Sequence, residues 1–233
     1  MSPASPEQVV SSAASPSPFS MPLDEAISTQ RAIRRLKPDP VDDELVLRLI
    51  ELALKAPTGS NQQNWEFIVV RDRAVKERLG ALNRQMLTIY LAMGRRMNRD
   101  NPKMLRLIDA VQWQADHFAE IPVLVVACLR GLRFPWPPIL PTSYYGSIYP
   151  SVQNLRLAAR SAGLGAALIT MPLWSSFFAR RALGLPWNVA PCAVVPLGWP
   201  RGRYGPTTRR PVGEVVHLDR YGNQPFRKAG QGA

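Results

Sequence analysis

The sequence predicts an α+β fold, a three-layer sandwich in which one small mixed sheet carries helices on both faces. Three observations lead there. Stretches with helical spacing outnumber strand-like runs. The strands fall singly among the helices, neither clustered nor in strict alternation with them. Two of the strands, 122–129 and 192–197, are unbroken apolar runs. A half-solvated strand alternates apolar and polar residues, so an unbroken run marks a strand covered on both sides.

Taken in order, residues 1–20 are mostly Ser, Pro and Ala and read as a disordered tail, too poor in apolar area to offset ordering entropy. Residues 21–34 read as a first helix, with Asp24 and Glu25 at its positive end. A linker over 36–40 leads to Asp42, a good N-cap, and to a helix that carries Leu45, Leu49, Ala53 and Ala56 at helical spacing until Pro57 stops it. Residues 65–71 form the first strand. Two amphipathic helices follow, over 74–97 and 104–119, then the buried strand 122–129. Residues 131–145 read as a loop rich in proline and aromatic side chains. A helix over 147–162 is capped by Gly163, a strand covers 166–171, a helix over 174–183 ends at Gly184, and 192–197 is the last strand. From Arg201 onward basic residues prevail and core residues are few. Residues 21–200 thus form the domain, and 201–233 a basic extension that lies on something else.

Composition removes several classes of function. Lys and Arg number 29 against 17 Asp and Glu, a net charge of +12, which suits a polyanion. The charge is spread along the chain, however, with no block of five like charges and no nucleic-acid recognition motif. The two cysteines, Cys128 and Cys192, lie in apolar runs and read as buried small hydrophobes. With His117 and His217 as the only histidines, no zinc site is expected. No apolar run approaches the roughly 18 residues of a membrane span, and the N-terminus lacks the basic region of a signal peptide, so a cytoplasmic protein is expected. There are no paired carboxylates, no phosphate-binding loop of the GxxxxGK type and no nucleophile with an evident base. Such a chain lacks the parts for side-chain hydrolysis and favours borrowed cofactor chemistry.

Two features could hold a cofactor. Arg31, Arg34 and Arg35 lie together near the predicted end of the first helix, and Arg209 and Arg210 follow the last strand. Either group is equally a solvated basic surface. Guanidinium groups fork onto phosphate, so two clusters far apart in sequence suit one phosphate gripped from both sides. The stretch 56–65 sets Thr58, Ser60, Asn61, Gln62, Gln63 and Asn64 ahead of Trp65. It is either a plain polar loop or a surface that reads a flat heterocycle. Gly163-Leu164-Gly165 lacks the third glycine of a dinucleotide fingerprint and reads as a helix cap.

These stretches carry a resemblance. Residues 29–36 (TQRAIRRL), 38–41 (PDPV), 56–65 (APTGSNQQNW), 148–155 (IYPSVQNL), 163–165 (GLG) and 209–216 (RRPVGEVV), in this order and spacing, resemble the FMN-dependent nitroreductase family over roughly residues 23–220. The resemblance implies FMN as cofactor and NAD(P)H as co-substrate. It implies a homodimer with two active sites at the interface and a swapped C-terminal segment that wraps the partner. It places Arg31 at the FMN phosphate, with Ala32 and Ile33 beside it, and Arg34 at the pyrimidine edge of the ring. Pro57, Thr58, Ser60, Asn61 and Gln63 line the ring and ribityl chain. Gly163, Leu164, Gly165, Ile169 and Thr170 approach the ring mainly through backbone, and Arg209 and Arg210 complete the phosphate grip. Gln30 and Ala32 depart from the family's common Arg-Arg-Ser at this place, with the loss of one guanidinium and one hydroxyl.

The expected activity is hydride transfer from NAD(P)H through FMN to an electron-poor acceptor such as a nitroaromatic or quinone, in a ping-pong cycle. Phe134, Trp136, Tyr144 and Tyr145 form the expected lid over this small aromatic acceptor. A specialised reaction on the same fold, such as reductive dehalogenation or enone reduction, is the alternative. A flavin-free polyanion-binding protein is the reading from a different class, and a salt-sensitive affinity for DNA would favour it. With FMN bound, neither a nucleic-acid nor a membrane partner is expected.

Overall fold

The structure is a computed structural model that describes residues 17–131 and 139–227. Seven helices and four strands are described. In chain order they are α1 (Leu23–Thr29), α2 (Asp43–Ala53), β1 (Trp65–Val70), α3 (Arg73–Met97), α4 (Pro102–Asp116), β2 (Val123–Arg130), α5 (Ile139–Gly146), α6 (Tyr149–Ser161), β3 (Gly165–Ala166), α7 (Ser176–Leu183) and β4 (Val189–Gly198).

The strands form one sheet in the order β1-β2-β4-β3. Residues along β2 alternate strictly between two cores. Val123, Val125, Ala127 and Leu129 face the first, with α2 and α6. Leu124, Val126 and Cys128 face the second, with Leu79 of α3 and Ala179 of α7. This is the three-layer arrangement that the unbroken apolar runs predict. The Cα register between β2 and β4 shifts at Ala127 and Cys128, so that Cys192 of β4 is left over as a bulge. That bulge also accommodates Pro191, which cannot donate to a regular ladder.

The described sheet is antiparallel at every pairing, not mixed as the sequence led us to expect. The excursion between β1 and β2 is the reason at its first step. It is a pair of helices, α3 and α4, packed side by side around Leu87, Leu91 and Ile108. Such a pair returns the chain to the end of the sheet that it left, whereas one crossover helix would return it at the opposite end and give a parallel neighbour.

Several boundaries also differ. The first helix stops at Thr29 instead of Arg34, because Ile33 N–H donates to the Ala166 carbonyl at 3.0 Å and Leu36 bridges Pro200. Sheet-edge hydrogen bonds here outweigh local helix propensity. The second helix stops at Ala53, and a turn carries the chain on to Pro57. The strand expected over 166–171 is reduced to Gly165–Ala166 plus a bridge from Ile169 to Val194. The loop expected over 131–145 includes helix α5 from Ile139.

Candidate active site

The candidate residues gather in two places. The first lies at the β3 edge of the sheet. The extended segment after α1 runs along β3, which brings Ile33 against Gly165. A Cβ on Gly165 would lie 2.6 Å from Leu36 Cδ2 and 2.9 Å from Ile33 Cγ2, so only glycine admits this approach. Gly163, at φ +77°, ends α6. Its N–H donates to the Arg160 carbonyl, and the N–H of Leu164 donates to that of Ala159, a Schellman pairing in keeping with the cap expected at this glycine. The Leu164 carbonyl accepts from the Tyr204 hydroxyl. Arg31 is exposed and lies beside Gly205 of the C-terminal extension, and Ala32 is half-buried between Arg31 and Ile33.

Arg34 lines a cavity of about 180 Å³, together with Ile169 and Thr170, which the family resemblance assigns to the same site. Asn83, Leu87 and Tyr90 of α3, Leu107, Val111 and Gln114 of α4, and Leu168 and Met171 complete its wall. Burial lowers the pKa of the Arg34 guanidinium, an effect that Tyr90 opposes. Arg34 forms no ion pair among the described residues, and no carboxylate lines the cavity. Arg156 of α6 is also pushed down, first by its own burial and then by the charge of Arg34, and its Nε is buried without a partner among the described residues. A half-buried guanidinium in a cavity with no carboxylate in its wall calls for an electron-rich or anionic ligand.

The second place is the loop ahead of β1. Gly59 N–H donates to Ser147 Oγ at 3.2 Å, and Trp65 Nε1–H to the Ser147 carbonyl at 2.6 Å. Thr58 Oγ1 accepts from Gln63 N–H. Ser60, Asn61 and Gln63 all have φ near +50°, a region that non-glycine residues seldom occupy. Asn61, Gln62 and Gln63 are exposed, as is Pro57. Three left-handed residues within four positions are a concentration of backbone strain of the kind found at binding sites.

One chain holds these two places apart. Ser147, which touches Gly59 and Trp65, precedes α6, and Gly165, which touches Ile33, follows it. The 13 residues of α6 span about 20 Å. The two places also flank opposite edges of the sheet, three strand spacings or about 14 Å apart.

Other candidates fall elsewhere. Arg209 and Arg210 are exposed on the extension, and Arg209 donates to the neighbouring Thr208 carbonyl. Tyr144 and Tyr145 are half-buried on α5, and the Tyr144 hydroxyl donates to the Leu129 carbonyl. Phe134 and Trp136 lie outside the described residues.

Sequence reading missed Asn83, Gln114, Arg156 and Tyr204. Asn83 and Gln114 left a signal. Asn83 falls in the inward stripe Leu79, Asn83, Leu87, Leu91 of α3, and Gln114 adjoins Ala115 on the buried side of α4. A polar residue inside an apolar stripe is the informative exception.

Comparison with known proteins gives a consistent result. The nitroreductase family model matches residues 27–199. A curated NADH dehydrogenase from Thermus thermophilus is 28% identical over 197 residues, which cover 80% of this chain and 91% of that protein. Iodotyrosine deiodinase 1 from Rattus norvegicus is 28% identical over 191 residues, 80% of this chain and 65% of the rat protein. Among solved structures, nitroreductase A from Vibrio parahaemolyticus aligns with a TM-score of 0.65 at 22% identity, over 88% of this chain and 78% of that one. Oxidised iodotyrosine deiodinase bound to FMN and 3-iodo-L-tyrosine aligns with a TM-score of 0.65 at 20% identity, over 85% of this chain and 98% of that one. At these identities the structural likeness concerns the fold.

Proposed function

The chain belongs to the nitroreductase family, and from that premise we propose that it is an FMN-dependent oxidoreductase that uses NAD(P)H to reduce an electron-poor acceptor, a nitroaromatic or a quinone, in a ping-pong cycle. One observation carries the reading. Arg34 and the Ile169–Thr170 pair, assigned to a flavin from motifs more than 130 positions apart, line the same cavity.

The residues present suit the cofactor. An uncompensated guanidinium, an orphaned amide and apolar walls match a ring that is apolar on its faces and electron-rich at one edge. When bound, FMN supplies the hydride chemistry between nicotinamide and acceptor. The chain supplies charge and position. Arg34 holds positive charge where reduction adds electron density, the logic of an oxyanion site. In this reading Arg31, with Arg209 and Arg210 of the extension, would hold the phosphate. Gly165 lets the backbone at the mouth of the site come close.

In this reading the enzyme is a homodimer. The strained loop 57–63 of one chain completes the Arg34 half-site of the other, since α6 keeps the two places of one chain apart. The extension from residue 201 wraps the partner. Its exposed Val212, Val215, Leu218, Tyr221 and Phe226 are apolar surface suited to such a contact. The protein works in the cytoplasm, and no described helix is long and apolar enough to cross a membrane. Reductive dehalogenation is the second reading, favoured by the likeness to iodotyrosine deiodinase; turnover on a panel of nitroaromatic, quinone and halophenol acceptors separates the two.

The test is an absorbance spectrum of the purified protein, with the released cofactor identified after denaturation. The expected result is FMN at about one per chain, by analogy with one Arg34 site per chain. A colourless protein that takes up no FMN on incubation overturns the reading.

A further inference from the structure

We infer that Gln114 of α4, together with Asn83 of α3, is a hydrogen-bonding pair for the imide edge of the flavin ring, which makes α4 part of the cofactor site. The inference rests on the flavin reading above. Gln114 is 3% exposed and Asn83 4%, and both line the Arg34 cavity. The Gln114 Nε2 is fully buried and has no hydrogen-bond partner among the described residues. An orphaned buried donor is destabilising and rare in native proteins, so it asks for an explanation. Lys76 shows the ordinary solution on the same helix as Asn83. It is equally buried, and its Nζ donates to the Ile121 carbonyl at 2.8 Å. That cation is structural. The Gln114 amide has no such carbonyl and faces a cavity instead.

The chemistry of the lining selects the ligand edge. An imide presents acceptor, donor and acceptor in a row: carbonyl, N–H, carbonyl. Two carboxamides and a guanidinium supply donors for both carbonyls and an acceptor for the N–H between them. A nitro group or a quinone carbonyl offers acceptors only and leaves the amide oxygens unanswered. The apolar side chains of Leu87, Val111, Ile169 and Met171 in the same wall suit the faces of a flat ring.

The test compares the wild type with Gln114→Met, which keeps the length of the side chain and removes its hydrogen bonds. Two readouts should move in opposite directions. The Kd of the cofactor-stripped protein for FMN, read by quenching of flavin fluorescence, should rise about tenfold, the loss of one well-formed hydrogen bond. The Tm of the same stripped protein should rise by about 2–4 °C, because the orphaned donor is gone. A residue with a purely structural role would lower the Tm. Should Gln114→Met not fold, Asn83→Leu is titrated with FMN in its place, with the same tenfold rise expected. If the wild type binds FMN and the variant binds it as tightly, the inference fails while the functional reading stands. An unchanged FMN affinity with a raised KM for the acceptor overturns it too and assigns Gln114 to the acceptor. If the wild type itself takes up no FMN, the functional reading fails first.

Discussion

The two half-sites of this chain are built by opposite means. The Arg34 half is held by packing. Ile33 is bonded to Ala166, Gly165 fits only because it has no side chain, and Arg34 is half-buried in a walled cavity. The loop over 57–63 is held by strain and by few bonds. Ser60, Asn61 and Gln63 occupy left-handed backbone conformations while Asn61 and Gln63 remain exposed. The packed half keeps its shape alone and has an unmet need for charge. The strained half presents polar side chains outward and has an unmet need for a surface. In the proposed dimer such halves would complement each other between chains, and the differences between them can be tested.

The largest expected effect is on turnover. Arg34→Ala should lower kcat by about 10²–10³-fold, as for loss of one stabilising charge in a preorganised site, with the far-UV spectrum unchanged. A variant with unaltered turnover removes Arg34 from the site. Mixing decides whether the halves belong to different chains. Arg34→Ala subunits co-expressed with Asn61→Arg subunits, whose added bulk and charge block the loop's face of the site and abolish turnover, should recover about a quarter of wild-type activity. Half of the dimers are then mixed, and one of the two sites in each mixed dimer is intact. A mixture as inactive as its parents shows that each site is built within one chain.

Stability effects come next. Gly165→Ala should cost about 1–3 kcal/mol by overpacking against Leu36 and Ile33, read as a fall in Tm. A loss this size at Gly59, whose nearest neighbour to an added Cβ is Ser147 Oγ at 3.9 Å, would erase the contrast between the two halves. At high pH the packed half should weaken. Burial pushes Tyr204, bonded to Leu164, up to about 12 from 10, and Arg160 and Arg156 oppose that shift. Burial, with smaller contributions from Cys192 and Glu66, pushes the Cys128 thiol up to about 12 from 9. Both groups hold their protons more tightly folded than unfolded. Their contribution is complete below the unfolded values and is lost as pH climbs from about 9 toward 12. Tyr204→Phe should flatten the decline of Tm above pH 10, and an unchanged slope assigns that decline elsewhere. The smallest expected effect is at Asn61→Gly, which should relieve strain and change Tm by no more than a few degrees upward while weakening FMN binding.

Much of the fold was legible because it rests on local patterns. The unbroken run over 122–129 gave a strand buried on both faces, and Gly163 gave a helix cap that the backbone pairing bears out. The end of α1 was not legible. Residues 30–34 carry a helical sequence, and the bonds that pull them straight come from residues 166 and 200, far along the chain. The antiparallel sheet was hidden for a similar reason, since strand direction depends on how α3 and α4 fold back on each other. In the site, Arg34 and Thr170 were legible through the resemblance to the family. Asn83 and Gln114 lie outside every stretch that carries that resemblance and were found through their burial. Tyr204 sits in a segment whose sequence shows only basic charge, and its role depends on a carbonyl 40 positions earlier.

Helix α6 has a consequence for what this chain can tolerate. It is the stiff piece between the strained loop and Gly165, and in a dimer its length would set the gauge on which the two flavins are mounted. Each residue added to it would lengthen that gauge by about 1.5 Å and turn one end by about 100°. An insertion there would misalign both sites together, however well the chain still folded. Insertions after residue 210, beyond the contacts of Tyr204 with Leu164 and of Thr207 with Ser28 and beyond the Arg209–Arg210 pair, would lengthen only the strap and leave the gauge intact.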